Sequence, residues 1–169
     1  MKNTKLQKLI LSAMFLAIGI VLPFLTGQIK EIGDTLLPMH FPVMLCGVIC
    51  SYKHGFAIGL VLPFLRSLMF SRPPMYPNAV WMALELATYG LVIGLVYKHT
   101  AKKYLSIIIA MLAGRVVWGV SKAVLLGLSG KVFGITAFIT GGFVDAIPGI
   151  VIQLILIPLI IRAYERSRK

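Results

Sequence analysis

The chain has 169 residues, 59% of them hydrophobic and only 13% charged, with a formal charge of +12 and a mean hydropathy of +0.93. Soluble domains are about 45–50% apolar and about 25% charged, so this composition belongs in a lipid bilayer. At roughly 20 apolar residues per helical span, six spans use about 120 residues. What remains is too little for a soluble enzyme, a nucleic-acid-binding domain or an attached ATPase module.

The first apolar run covers residues 9–25 behind a basic stretch. It is long for a signal-peptide core and no small-x-small cleavage site follows Pro23, so it reads as a retained helix. The polar stretch from Thr26 to Pro38, with Lys30, Glu31 and Asp34, reads as an external loop. The second run, 39–51, is long enough as a straight helix for only about half a bilayer. It carries both cysteines, Cys46 and Cys50, one helical turn apart. No further Cys or His completes a four-ligand spacing, so they read as buried thiols and no metal is expected.

After a tight turn at Tyr52-Lys53-His54 comes the third run, 55–70, which holds Pro63 and Arg66. Residues 71–77, with Pro73, Pro74 and Pro77, predict a stiff loop because successive prolines bar a helix. The fourth run is 78–97 and the fifth 105–126. A glycine-spotted connection, 127–134, leads to the sixth, 135–162, expected to bend at Pro148. The whole of 1–169 thus reads as a single integral membrane domain, an all-α bundle of six transmembrane helices.

Of the 17 Lys and Arg residues, 11 cluster beside apolar runs in the N-terminal stretch, at Lys53, at 98–103 and at 162–169. Only Lys30, Arg72 and Lys131 sit in the alternate connections. Short basic loops stay cytoplasmic, so both termini are placed inside. The positive balance is a topology signal and no nucleic-acid partner is expected.

Catalytic motifs are missing. Gly130-Lys131 resembles the end of a phosphate loop, but Val132 stands where Ser or Thr is required. There is no His-Glu-x-x-His and no Gly-x-Ser-x-Gly. The chain is therefore expected not to be an enzyme and to need no cofactor. Any pumping must draw on a partner or on an ion gradient.

The positive signal is charge at membrane depth. Arg66, Glu85, Arg115, Lys122 and Asp145 lie in apolar runs, and each costs about 2.5–3.5 kcal/mol at a helix centre unless it faces a partner, water or a ligand. Asn78, Trp81, Glu85 and Tyr89 recur on one face of the fourth helix, as do Arg115, Trp118, Gly119 and Lys122 on the fifth. With His40 at the outer mouth of the second helix, these residues outline a pocket toward the outer side. Glu85 with Arg115 and Asp145 with Lys122 are natural ion pairs that could equally be structural. Three cations against two anions leave one positive charge, which favours a cargo carrying carboxylate or phosphate. Ala13 and Ala17 form a small-x-x-x-small pair suited to close approach of another helix.

The ordered set Ala13-Met14-Phe15-Leu16-Ala17, Leu37-Pro38-Met39-His40-Phe41-Pro42-Val43 with Gly47, Pro73-Pro74-Met75 to Pro77, Glu85-Leu86-Ala87-Thr88-Tyr89-Gly90 and Gly114-Arg115 resembles the S components of energy-coupling-factor (ECF) vitamin transporters, over nearly the whole chain. The resemblance implies a membrane-embedded subunit that captures a vitamin or cofactor precursor from outside. It also implies partnership with a T-type membrane subunit, docked on Ala13 and Ala17, and two ATPase subunits. The likeness is nearest to the branch of pantothenate, folate and cobalamin binders. An autonomous ion-coupled carrier using Glu85 or Asp145, or a non-transport assembly subunit, are the competing readings of the residues themselves.

Overall fold

The structure, a computed structural model, describes residues 4–25 and 37–167. Most of the expected outer loop, residues 26–36, lies outside the described residues. The regular elements among the described residues are all helices, with no strand. The helices are α1 (Thr4–Leu25), α2 (His40–Ile49), α3 (Tyr52–Phe70), α4 (Val80–Thr100), α5 (Lys103–Leu128), α6 (Ile135–Ile139) and α7 (Ile147–Ser167). By length and composition, Lys5–Phe24, Met75–Thr100, Lys103–Leu128 and Ile147–Ser167 are apolar enough to cross a membrane, while His40–Ile49 and Ile135–Val144 are shorter apolar helices.

Helix ends run past the apolar runs. α1 begins at Thr4 and α7 continues to Ser167, because long basic side chains are good helix formers and carry the helix out of the apolar layer. The proline stretch is a loop only as far as Pro74. Met75–Ala79 instead closes a wide turn, with the Ala79 N–H donating to the Pro74 carbonyl at 3.0 Å. Tyr76 is extended there (φ −130°, ψ 135°), as the residue before a proline prefers.

The sixth run is not one helix bent at Pro148. Its irregularity is a second wide turn, Thr140–Val144, between α6 and α7, closed by the Asp145 N–H on the Thr140 carbonyl at 2.9 Å. Pro148 is the second residue of α7, where a missing N–H removes no intrahelical bond. Gly141 and Gly142 mark the true site: a Cβ on either would stand 3.4 or 3.3 Å from the Trp118 indole.

α4 is the hub, packed against α2, α3 and α5. α2 is the most enclosed element, with Val43, Met44 and Cys46 fully buried, which explains how a ten-residue helix is accommodated in an apolar layer. Glycines bring these backbones together. A Cβ on Gly47 would meet the Gly90 carbonyl oxygen at 2.4 Å, one on Gly59 the Leu86 oxygen at 2.4 Å, and one on Gly90 the Gly55 backbone at 2.3 Å. Such contacts let van der Waals packing hold helices together where lipid offers no hydrophobic drive.

The outer faces are apolar. Ile108, Leu112, Val116, Val120 and Val124 of α5 are all exposed and recur every fourth residue, a single lipid-facing row. Ile107, Ala110, Met111, Gly114 and Arg115 form its buried opposite side. At one end Glu165 of α7 accepts hydrogen bonds from Tyr97 of α4 and Lys103 of α5, tying three helices with one carboxylate.

Candidate functional site

α4 carries Trp81, Glu85 and Tyr89 inward, each buried, with Asn78 half-buried in the wide turn before it. Facing them, α5 buries Arg115, Trp118 and Gly119 and leaves Lys122 half-buried. The spacing read from the sequence thus brings both faces together. His40, the first residue of α2, joins them at 2% exposure.

Glu85 is the centre. Its Oε1 accepts from Arg115 Nη1 at 2.9 Å and lies 3.4 Å from His40 Nε2. All three groups are 4% exposed or less. Burying a carboxylate and a guanidinium separately in an apolar interior is costly, and direct hydrogen-bonded pairing offsets most of that cost. The His40 ring stands edge-on to Tyr89, with centroids 4.9 Å apart. Tyr89 in turn fits over Gly114, where a Cβ would be 2.8 Å from its ring. This accounts for the Gly114-Arg115 step: the glycine admits the ring and the next residue reaches the carboxylate.

One helical turn beyond Arg115 is an aromatic enclosure. The Arg115 guanidinium lies 5.8 Å from the Trp118 ring. The Lys122 ammonium lies 4.5 Å from Trp118, 5.1 Å from Phe133 and 5.4 Å from Trp81. Ring faces stabilise a cation through their quadrupoles by about 0.5–2 kcal/mol each, more when desolvated. Phe138 packs at 6.1 Å from Trp118 and edge-on to Phe143. A cation among flat apolar faces is suited to an anionic group attached to a ring or an alkyl body.

Two predicted members stand apart. Arg66 is buried, but its Nη1 donates to the Ile20 carbonyl at 2.9 Å, its Nε to the Arg72 carbonyl at 3.5 Å, and its guanidinium lies 5.4 and 5.9 Å from the Phe24 and Phe70 rings. Pro23 has no N–H to offer the preceding turn of α1, and Arg66 donates to the Ile20 carbonyl in that stretch. Arg66 is therefore a strut between α1 and α3. Asp145, expected at depth, is exposed at the end of the Thr140–Val144 turn.

Gln153 was not among the residues singled out from the sequence. It is 1% exposed on α7, and its Nε2 has no hydrogen-bond partner. The signal available was its being the lone amide within the apolar stretch 147–161. Ala13 and Ala17 are exposed on α1, and Ala17 lines a shallow apolar groove with Ile18, Val21 and Leu22.

Comparison with protein families matches residues 7–161 to the ECF transporter, substrate-specific component. Searches of curated proteins and of solved structures gave no match. The match spans most of the chain, which therefore belongs to the family of ECF transporter substrate-specific components. It is a multi-pass membrane protein and a substrate-binding transport subunit, not an enzyme, and its family works with the ECF T and ATPase module.

Proposed function

We propose that this chain captures an anionic vitamin or cofactor precursor at the outer face of the cell membrane and passes it inward with a T subunit and two ATPases. The observation that carries this reading is the Lys122 ammonium enclosed by Trp81, Trp118 and Phe133, next to the buried Arg115–Glu85–His40 group. A cargo of the pantothenate, folate or cobalamin-like branch would place its carboxylate or phosphate against Lys122 and its body among the rings. Asn78 and Tyr89 frame the same face. Arg66, also in the expected set, takes part through the elements it joins.

The topology that goes with this function is one membrane domain with six crossings and both termini cytoplasmic. α2 makes the short second crossing, and α6 with α7 together make the sixth. The exposed α1 face with Ala13, Ala17 and its groove is the docking surface for the T subunit, since small residues allow close helix approach. An autonomous proton-coupled carrier is less well supported. Of its two candidate proton sites, Glu85 is already bound by both Arg115 and His40, and Asp145 is exposed.

The test is uptake and binding measured side by side. Ala13→Trp with Ala17→Trp is expected to abolish ATP-dependent uptake into cells carrying the ECF module while leaving cargo retention by the purified protein within about twofold. Equal loss of both, or uptake that persists when the ATPases are inactivated, counts against the proposal.

A further inference from the structure

The contact of Lys103 with Glu165 joins the start of α5 to the end of α7, so the two helices run antiparallel. Arg115 follows Lys103 by the same number of residues by which Gln153 precedes Glu165. In antiparallel helices this brings Arg115 and Gln153 to one level, about 18 Å from the clamp at 1.5 Å per residue. Gln153 lies on the buried stripe Gly149, Gln153, Ile157 and Ile161 of α7, a helix that packs on α2 and α5. Among the described residues three buried side-chain atoms lack a hydrogen-bond partner: His40 Nδ1, Arg115 Nη2 and Gln153 Nε2. They come from those same three helices. Unmatched buried polar atoms are costly and rare, and three on helices that pack together, two of them joined through Glu85, point to a group that belongs between them.

Charge and proton positions define that group. Glu85 is an acceptor, so the His40 Nε2 facing it carries the hydrogen, and in that tautomer Nδ1 is an acceptor. Arg115 Nη2 and Gln153 Nε2 are donors. Glu85 already balances Arg115, and a further charge would be buried without a counter-ion. We propose that this layer seats an uncharged hydroxyl or amide group of the cargo. Its oxygen accepts from Arg115 and Gln153, and its hydrogen is donated to His40 Nδ1. The inference rests on the reading that the chain captures a small cargo, and it narrows the class. Lys122 stands about 10 Å further along α5, with Trp118 between. The cargo is then a slender anion with a hydroxyl or amide about 10 Å from its charge.

The experiment incubates the purified protein with an equimolar mixture of pantothenate, biotin, folate, cobalamin, nicotinate, lipoate, thiamine, riboflavin and pyridoxine. The compound retained after gel filtration is identified by mass. The expected result is a carboxylate that also bears an amide or hydroxyl. Gln153→Leu, which removes a donor and adds no charge, is expected to weaken its retention at least tenfold while the cargo-free protein melts at the same temperature or higher. Retention of nicotinate or lipoate, which have neither group, overturns the seat and leaves the capture of an anion standing. Retention of a neutral or cationic vitamin overturns the class proposed. Unchanged retention by Gln153→Leu overturns the seat and assigns the layer to buried water. If no compound is retained, the capture reading itself falls and the seat with it.

Discussion

Two sets of glycines in this molecule are used in opposite ways. Gly47, Gly55, Gly59, Gly90 and Gly94 lie where α2, α3 and α4 cross, and each would drive a Cβ into a neighbouring backbone at 2.3–2.6 Å. Gly127, Gly130 and Gly134, in and beside the α5–α6 connection, have nothing within 4 Å of the same position. In the first set the missing side chain is a packing surface. In the second it is chain freedom, and at Gly130, with φ +70°, a backbone conformation that other residues rarely adopt. The crossing is thus a rigid frame holding His40 and Glu85, while the open connection carries Phe133 toward Lys122.

The largest expected effect comes from breaking the frame. Gly90→Leu should abolish folding, read as loss of the monodisperse peak in detergent gel filtration, because no side-chain rotation clears the Gly55 backbone. Next is a defect of charge rather than shape. Glu85→Ala leaves Arg115 buried without its partner and should cost about 3–5 kcal/mol, whereas Glu85→Met with Arg115→Met should recover most of that in a thermal unfolding assay. If the double variant is as unstable as the single one, the pair matters for more than neutralisation. The smallest effect belongs to the open region. Gly127→Ala, at the end of α5, should stabilise by about 0.5–1 kcal/mol, and Gly134→Ala (φ −84°, ψ 165°) should stay within about 0.5 kcal/mol. A loss above 1 kcal/mol at either site would mean that the connection is packed against something, and the contrast would fail.

Much of this was legible in the sequence, for identifiable reasons. The buried face of α5 and the Glu85–Arg115 pair followed from helical spacing and from the cost of charge in lipid. So did the general order of the helices. Gln153 was not legible. An uncharged amide carries a small penalty in an apolar run, and its importance depends on the register of α7 against α5, set by a contact at the far end of both. The partner of Arg66 was hidden for a similar reason: it is a main-chain carbonyl near Pro23, which no side-chain pattern reveals. The bend assigned to Pro148 belonged to the Gly141 and Gly142 turn, because a proline in the first turn of a helix does no harm, while the indole of Trp118 lies against the bare backbone of these glycines.

The lipid-facing row of α5 has one more consequence. Ile108, Leu112, Val116, Val120 and Val124 present a ridge of branched side chains with no small residue to admit a second ridge and no polar atom to grip one. Fluid acyl chains wet such a ridge as well as another protein would, so this flank offers no reason to dimerise.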